Sequence, residues 1–515
     1  MKRILSVTLC IVMAFFCMFS AIQAAAATPK ASTSYNQKTT LKNADDFSWD
    51  NASVYFLLTD RFKNGNTSND HSYGRATDSS GKPLSGWETN PGTFHGGDFA
   101  GITQKINEGY FDDLGVNAIW LSAPYEQIHG YVTPGESLDF CHYSYHGYYV
   151  LDYTEPDLNF GTKQEFQTMV DTAHKYGIRI VMDIVMNHAG YNTIKDMLTY
   201  NFGSFKDKSA AQSYLYKLTG VNSLHNYIDY DGGASQWGNW WGPDWIRSGL
   251  AGYSEESGSD LTNCLAGLPD FKTEQTKSVS IPPILKTKWS QEGTYSQKVN
   301  KYGSSDTVSN YITKWLSEWV STYGVDGFRC DTAKHVELAS WKKLKTSCVS
   351  ALKQWRQNNP SKAGANWTDD FWMTGECWDY KNLGNGDYFT SGGFDSMINF
   401  NFSGSGVTGV SGINGTYQGY AEALNGEKEA GHNVLTYISS HDSNLARGDL
   451  IYQGSAFQLM PGAIQIFYGD ETNRPTVAGM SFDGHGGSGN YGGIGEWQDG
   501  NIRGAGLGRA RTRRR

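Results

Sequence analysis

Past Ala26 the 515-residue chain never strings together the roughly eighteen apolar side chains that a membrane-spanning helix needs, so no membrane partner is expected. Basic charge is also short: 43 Lys and Arg stand against 52 Asp and Glu, for a formal net charge of -9. A nucleic-acid binder needs a basic face, and this balance excludes one as the expected activity. Cysteine is thin and badly spaced. Setting aside Cys10 and Cys17 near the start leaves Cys141, Cys264, Cys330, Cys348 and Cys377, an odd number with no metal-ligand spacing. That leaves room for one bridge but not for a disulfide scaffold, and Cys330 and Cys377, at strand ends, read as small buried packing groups. Charged residues make up only 18% of the chain, whereas aromatic residues reach 14%, with 16 Trp and 31 Tyr. Such a balance suits uncharged, hydroxyl-rich ligands with apolar faces, as sugar rings are.

The two ends differ from the middle. Residues 1–27 begin Met1-Lys2-Arg3, continue through an apolar run from Ile4 to Phe19 and finish in small residues around Ala21 to Ala26. This is the pattern of a secretory signal peptide, and it implies a secreted, extracellular protein, which is expected to be a monomer. Residues 491–515 end in an arginine-rich stretch from Arg503 to Arg515 and are expected to be a truncated or disordered basic tail.

Between the ends, eight runs rich in β-branched and aromatic residues alternate with helix-like stretches. They are Ser53 to Thr59, Val116 to Leu121, Ile178 to Met182, Val325 to Arg329, Phe371 to Thr374, Ser396 to Asn399, Leu435 to Ser439 and Ile464 to Tyr468. Near-continuous apolar strands separated by helices indicate a parallel sheet, and eight of them predict an α/β fold, a closed (β/α)8 TIM barrel with its active site at the strand C-termini. Asp331 and Glu376 are 45 residues apart, about one strand-helix unit, whereas Asp183 and Asp331 are 148 apart. An irregular inserted domain after the third strand is therefore expected. The predicted organisation is residues 28–189 for the first part of the barrel, 190–283 for the insertion, and 284–490 for the rest of the barrel. Trp237, Trp240, Trp241 and Trp245 within the insertion are candidate sugar platforms, with packing of the excursion as the competing role.

Polar groups repeatedly follow the strands. In Gly327-Phe328-Arg329-Cys330-Asp331, strand alternation turns Arg329 and Asp331 to one side, where the cation keeps the carboxylate ionised and aimed. Asp183, Glu376 and Asp442 follow other strands in the same way. Cleavage of a glycosidic bond with retention needs a carboxylic acid to protonate the leaving oxygen and a nearby carboxylate to attack the anomeric carbon. Asp331 suits the nucleophile, and Glu376 suits the acid because neighbouring negative charge favours its proton. Asp442 is the third carboxylate, placed to hydrogen-bond a distorted sugar, with His188 and His441 as donors to the same ring.

Four segments carry a resemblance: Asp183 to His188, Gly327 to His335, Gly375 to Trp378, and Ser440-His441-Asp442. They resemble the signature regions of the α-amylase family of glycoside hydrolases, and Leu268-Pro269-Asp270-Phe271 resembles a fifth. The resemblance implies retaining hydrolysis of α-1,4-glucosidic bonds in starch or maltodextrin, with Asp331 forming a covalent intermediate, Glu376 as acid and base, and Asp442 stabilising the transition state. Tyr145-His146-Gly147-Tyr148 resembles the family segment whose histidine contacts, and whose tyrosine stacks on, the sugar being cleaved. Lys334 and His335 resemble residues that contact the sugar on the leaving side. Two departures stand out. Ser440 occupies a position where the family usually has asparagine, and the usual C-terminal β-sandwich domain is expected to be missing or truncated. A glucan transglycosylase of the cyclodextrin glucanotransferase kind uses the same carboxylates and stays open as an alternative, as does a noncatalytic glucan-binding protein.

Calcium is the expected cofactor. As a hard cation it takes oxygen ligands, including amide and backbone carbonyl oxygens. The resemblance places Asn187, Asp270 and the backbone carbonyl of His335 around an ion that ties the insertion to the barrel. A second cluster, Asn64, Asn66, Asn69 and Asp70 with Gly96 and Asp98, resembles the looped calcium sites of some family members, with an ordinary Asn-rich turn as the competing reading.

Overall fold

The computed structural model describes residues 47–90, 92–133, 142–218, 222–378, 380, 387–400, 433–442, 457–460 and 462–472, with isolated positions between 415 and 454. The expected signal peptide, the basic tail and Cys141 lie outside the described residues.

Eight strands close into a parallel barrel: β1 Ser53–Leu57, β2 Ala118–Leu121, β3 Arg179–Ile184, β4 Gly327–Cys330, β5 Trp372–Gly375, β6 Ser396–Asn399, β7 Asn433–Tyr437 and β8 Ala463–Phe467. Each strand pairs with its sequence neighbours, and β1 pairs with β8 to close the ring. Every residue of β2 to β7 is buried, because the interior packs one face and the surrounding helices pack the other. All eight predicted runs are barrel strands, with ends displaced by up to about two residues, as strand boundaries commonly are. One displacement matters, since β3 runs through Asp183, so that carboxylate sits within the strand and not beyond it.

Alternation sorts the side chains. In β1, Tyr55 faces outward onto Tyr110 and Phe111, whereas Phe56 turns inward to stack on Trp120 with ring centroids 3.8 Å apart. In β4, Phe328 packs outward against Phe371, and Arg329 turns inward. The register pairs Arg329 with Asp183 on one neighbour and with Thr374 on the other, so the salt bridge between Arg329 and Asp183 is built into the strand alignment.

The outer helices start and stop on local chemistry. Helix α1, Phe99–Asn107, is capped by Asp98, and α2, Lys163–Lys175, begins with a reciprocal capping box between Thr162 and Glu165. Helix α3, Val308–Tyr323, starts on the Thr307 cap and stops at Gly324. There φ is +80°, a conformation that suits glycine. Among the described residues no helix is long and apolar enough to cross a membrane.

The excursion after β3 carries more regular structure than its composition suggests. It holds short helices at Ile194–Tyr200 and Lys208–Tyr214 and two small antiparallel pairs, Ser204–Phe205 with Ile228–Asp229 and Ile246–Arg247 with Asp270–Phe271. A hairpin of Tyr125–Gln127 and Val150–Pro156, between β2 and α2, was not expected. Its first arm has only three residues and two register irregularities, too little for a periodic signal. The platform role for Trp237, Trp240, Trp241 and Trp245 is corrected: all four are buried, Trp237 and Trp240 against Phe202 inside the excursion, Trp241 against Phe271, and Trp245 stacked on Trp315 of α3. Cys330 is buried as expected, but Cys377 is only partly covered and lies 3.2 Å from the Tyr388 hydroxyl.

Candidate active site

Arg329 organises the C-terminal mouth of the barrel. Its Nη1 donates to Asp183 Oδ1 at 2.9 Å and to Asp331 Oδ1 at 2.8 Å, and its Nη2 lies 3.9 Å from Glu376 Oε2. The guanidinium also faces the rings of Trp120 and Tyr148, with Cζ 5.3 and 5.8 Å from their centroids. Burial works against its charge, but Asp183, Tyr148, Asp331 and Glu376 outweigh that cost and hold its pKa well above the usual value. One fixed cation therefore serves three carboxylates.

Asp331 follows β4 and Glu376 follows β5, each one residue past the paired Cys330 and Gly375. Neighbouring strands run about 4.8 Å apart, close to the spacing of roughly 5 to 5.5 Å at which two carboxyl groups support a covalent, retaining displacement. Burial raises the Glu376 carboxyl to about 7, with Arg329 pulling it down and Asp331 and Asp442 pushing it up. The direction matches the sequence expectation, but burial, and not neighbouring charge, is the leading cause. Asp442, beyond β7, leaves 34% of its side chain open, yet lies deep enough among protein atoms that burial lifts its carboxyl to about 6.

The aromatic and imidazole groups gather around Tyr148. Its ring stacks with His146 and His441, at centroid distances of 5.3 and 5.5 Å. Its hydroxyl donates to Asp183 Oδ2 at 3.0 Å and lies 2.7 Å from His441 Nε2. His441 Nε2 is also 3.0 Å from Asp442 Oδ2, so a proton on Nε2 satisfies both contacts. Burial pushes the His441 ring down to about 3, which keeps it neutral. The His146 Nδ1 accepts from the Tyr148 amide at 3.1 Å. His188 directs its Nε2 to the Tyr148 carbonyl at 3.1 Å, so it supports the tyrosine where a direct contact to a sugar was expected. Lys334 and His335 face the excursion: Lys334 Nζ is 3.8 Å from Asp260 Oδ1, and His335 Nδ1 is 2.7 Å from the Asp260 carbonyl.

The first metal cluster converges. One atom of the Asn187 amide lies 3.0 Å from the His335 carbonyl oxygen and 3.2 Å from Asp270 Oδ1. If that atom is the amide nitrogen, it donates to both. If it is the oxygen, three oxygens face one another, an arrangement that a hard cation relieves, so the donor set fits calcium. The second cluster is also assembled in one place, with some oxygens engaged and one not: the Asn69 Oδ1 is buried and has no hydrogen-bond partner. Asp98 accepts from the amides of Gly65, Asn66 and Gly101 and from the Asn69 side chain, while Asn66 Oδ1 accepts from Ser68. Asn64 donates to Asp70 Oδ1 at 2.9 Å, and Gly96, with φ +88°, has Asp70 Oδ1 2.5 Å from where a Cβ would stand. A cation here would find the Asn69 Oδ1 free and would share Asp98 and Asn66 with the hydrogen bonds that they already accept.

Sequence reasoning passed over Trp120, whose Nε1 donates to Asp183 Oδ2 at 3.2 Å, and Asp260, which receives Lys334 and His335. Trp120 was detectable as the inward-alternating aromatic of its strand. Asp260 had no local signal.

Comparison with known proteins agrees with this geometry. The family model for the alpha amylase catalytic domain matches residues 56–228 and 295–476. A periplasmic alpha-amylase of Escherichia coli (strain K12) is 44% identical over 443 residues, covering 83% of this chain and 61% of that protein. A cyclomaltodextrin glucanotransferase of Geobacillus stearothermophilus is 41% identical over 135 residues, 26% of this chain and 17% of that one. Among solved structures, an alpha-amylase from Geobacillus thermoleovorans complexed with acarbose has the same fold, with a TM-score of 0.51 at 19% identity, covering 88% of this chain and 75% of that chain. The chain thus spans less than two thirds of the length of the two curated relatives.

A proton donor works only while it holds its proton. Turnover is expected to be lost as pH rises through about 7, where burial leaves Glu376 half ionised. A pH profile of kcat that stays flat to pH 9 would contradict this placement.

Proposed function

The chain belongs to the alpha-amylase family of glycoside hydrolases, and we propose that it is an exported, endo-acting, retaining hydrolase of α-1,4-glucosidic bonds in starch and related glucans. The observation that carries this reading is the single buried guanidinium of Arg329, in contact with both Asp331 and Glu376. The cation aligns both groups, and burial sets Glu376 apart as the one that holds a proton. Asp331, held by the guanidinium at 2.8 Å, is aimed at the anomeric carbon as the nucleophile, while buried Glu376 keeps a proton for the leaving oxygen. In the second step Glu376, now ionised, takes a proton from water as the water opens the glycosyl-Asp331 ester.

Other groups orient the sugar. Tyr148, braced by His146, His188 and Asp183, offers a rigid aromatic wall, and Asp442, held by neutral His441, offers an acceptor for ring hydroxyls. Lys334 and His335 stand with Asp260 where the leaving side of the chain would pass. The transglycosylase reading is kept alive by the 41% match to a cyclomaltodextrin glucanotransferase, since the same carboxylates would serve a sugar acceptor in place of water. A noncatalytic glucan-binding protein would have no need of three carboxylates arranged around one arginine.

Calcium held by Asn187, Asp270 and the His335 carbonyl would fix the excursion to the end of β3 and to the turn after Asp331. It would act as structural charge and take no part in the bond-breaking steps.

Incubation with soluble starch should release linear reducing maltodextrins, and Glu376→Gln should cut that release by at least about 10³-fold while starch still binds. Cyclic glucans as the main product would overturn hydrolysis, and unimpaired release by Glu376→Gln would remove Glu376 from its role. Chelation of calcium should lower the melting midpoint, since an ion at about 1,000 times its Kd contributes about 4 kcal/mol to the folded state. An unchanged midpoint would reject the structural ion.

A further inference from the structure

Thr332, directly after Asp331, has φ +49° and ψ +44°, in the left-handed region. A β-branched residue is a genuine outlier there. The other non-glycine residues in that region among those described are Tyr73, Ala76, Asn201 and Ala266, none of them β-branched. The side chain does not account for the conformation, because the Thr332 hydroxyl is buried and has no hydrogen-bond partner.

What the twist achieves is an orientation of the backbone. The Thr332 amide donates to Glu376 Oε2 at 2.7 Å, and the next amide, Ala333, donates to the Glu376 carbonyl at 2.6 Å. Two successive N–H groups from the loop after the nucleophile thus grip the residue read as acid and base, at its side chain and at its main chain. In the other direction, the Glu376 amide donates to the Cys330 carbonyl at 2.8 Å.

We propose that Thr332 is a positioning residue whose backbone N–H reserves Glu376 Oε2 as an acceptor, confining the transferable proton to Oε1. The inference rests on the reading of Glu376 as the acid and base. Oε2 receives the Thr332 N–H and faces the Arg329 Nη2 at 3.9 Å, so it is the oxygen that stays unprotonated when the group is an acid. Oε1 then gives its proton to the leaving glycosidic oxygen in the first step and recovers one from the incoming water in the second, with no rotation of the carboxyl between them. The strained backbone is the cost of aiming that amide.

The groups that bear on Glu376 are Arg329 and Asp331 from β4 and its loop, Asp442 beyond β7, and Cys377 and Tyr388 from its own side. The Thr332 amide acts with Arg329 in favouring the ionised form. Its removal should therefore raise the pH at which the acid is lost.

The direct test replaces the Thr332 amide by an ester, through incorporation of the α-hydroxy analogue of threonine, which deletes the N–H and keeps the side chain. Expected are a fall in kcat of about tenfold, the worth of one hydrogen bond to a charged group, KM on maltodextrin within about twofold, and an alkaline limb moved to higher pH. An ester protein with the parent kcat and pH profile would overturn the proposal. Should the ester protein not fold, the unaltered chain labelled with 15N-threonine decides. The Thr332 amide shift should follow the titration that limits kcat and should stop doing so in Glu376→Gln, and a Thr332 amide that does not titrate would overturn the proposal. The two readings fail separately. A fully active Glu376→Gln sinks the acid and base role, whereas an unaffected ester protein beside an inactive Glu376→Gln sinks only the part given to Thr332.

Discussion

A buried guanidinium that touches three carboxylates is the interaction on which this barrel's mouth depends. Placing Arg329, Asp183, Asp331 and Glu376 out of water is costly, and breaking such a buried cluster by removing one partner typically costs about 3 to 5 kcal/mol because the remaining charge is stranded. The arrangement survives because it is over-determined. Arg329 and Asp183 are register partners on β4 and β3, Trp120 and Tyr148 donate to the far oxygen of Asp183, and their rings flank the guanidinium. Burial lifts the Glu376 carboxyl, and the one cation only partly offsets that. Asp331 takes the short contact at 2.8 Å, and Glu376, at 3.9 Å and equally enclosed, is left closer to neutrality.

The same strategy of buried charge holds the excursions to the barrel. Arg75, on a stretch bent by positive φ at Tyr73 and Ala76, donates to both oxygens of Asp157, to Asn159 and to the carbonyls of Gln127 and Ile128. Lys288, on the helix Pro283–Gln291 that follows the long excursion, lies 2.8 Å from Glu126 and 3.1 Å from Asp152, so that helix and the unforeseen hairpin are linked through one ammonium. These pairs explain how a chain with few charges spends them. Many are inside, where they set alignment, and the aromatic residues supply the bulk of the packing. The Trp residues of the excursion belong to that packing, which is why composition suggested sugar platforms and burial removed them.

Most of the frame was legible because parallel strands buried on both faces write themselves as unbroken apolar runs, and Ser396–Asn399 was located to the residue. The carboxylates of the candidate site were legible for a related reason, each standing at or near the end of such a run. What stayed hidden depends on partners far away in sequence. Asp98 reads as an oxygen ligand, and its second role, capping the backbone amides at the start of α1, did not show. His188 looked like a donor to substrate, but the Tyr148 carbonyl, 40 residues earlier, takes its Nε2. Thr332 carried no signal at all, since its contribution lies in a dihedral angle and not in a side chain.

The central claim is that Asp331, and no other carboxylate at this rim, becomes covalently attached to the sugar. The most direct measurement is mass spectrometry of peptides from Glu376→Gln protein after brief reaction with α-maltosyl fluoride, whose leaving group needs no acid. The account predicts a maltosyl adduct on the peptide carrying Asp331. An adduct on the peptide of Asp442 or Asp183, or hydrolysis with inversion and no adduct at all, would contradict it.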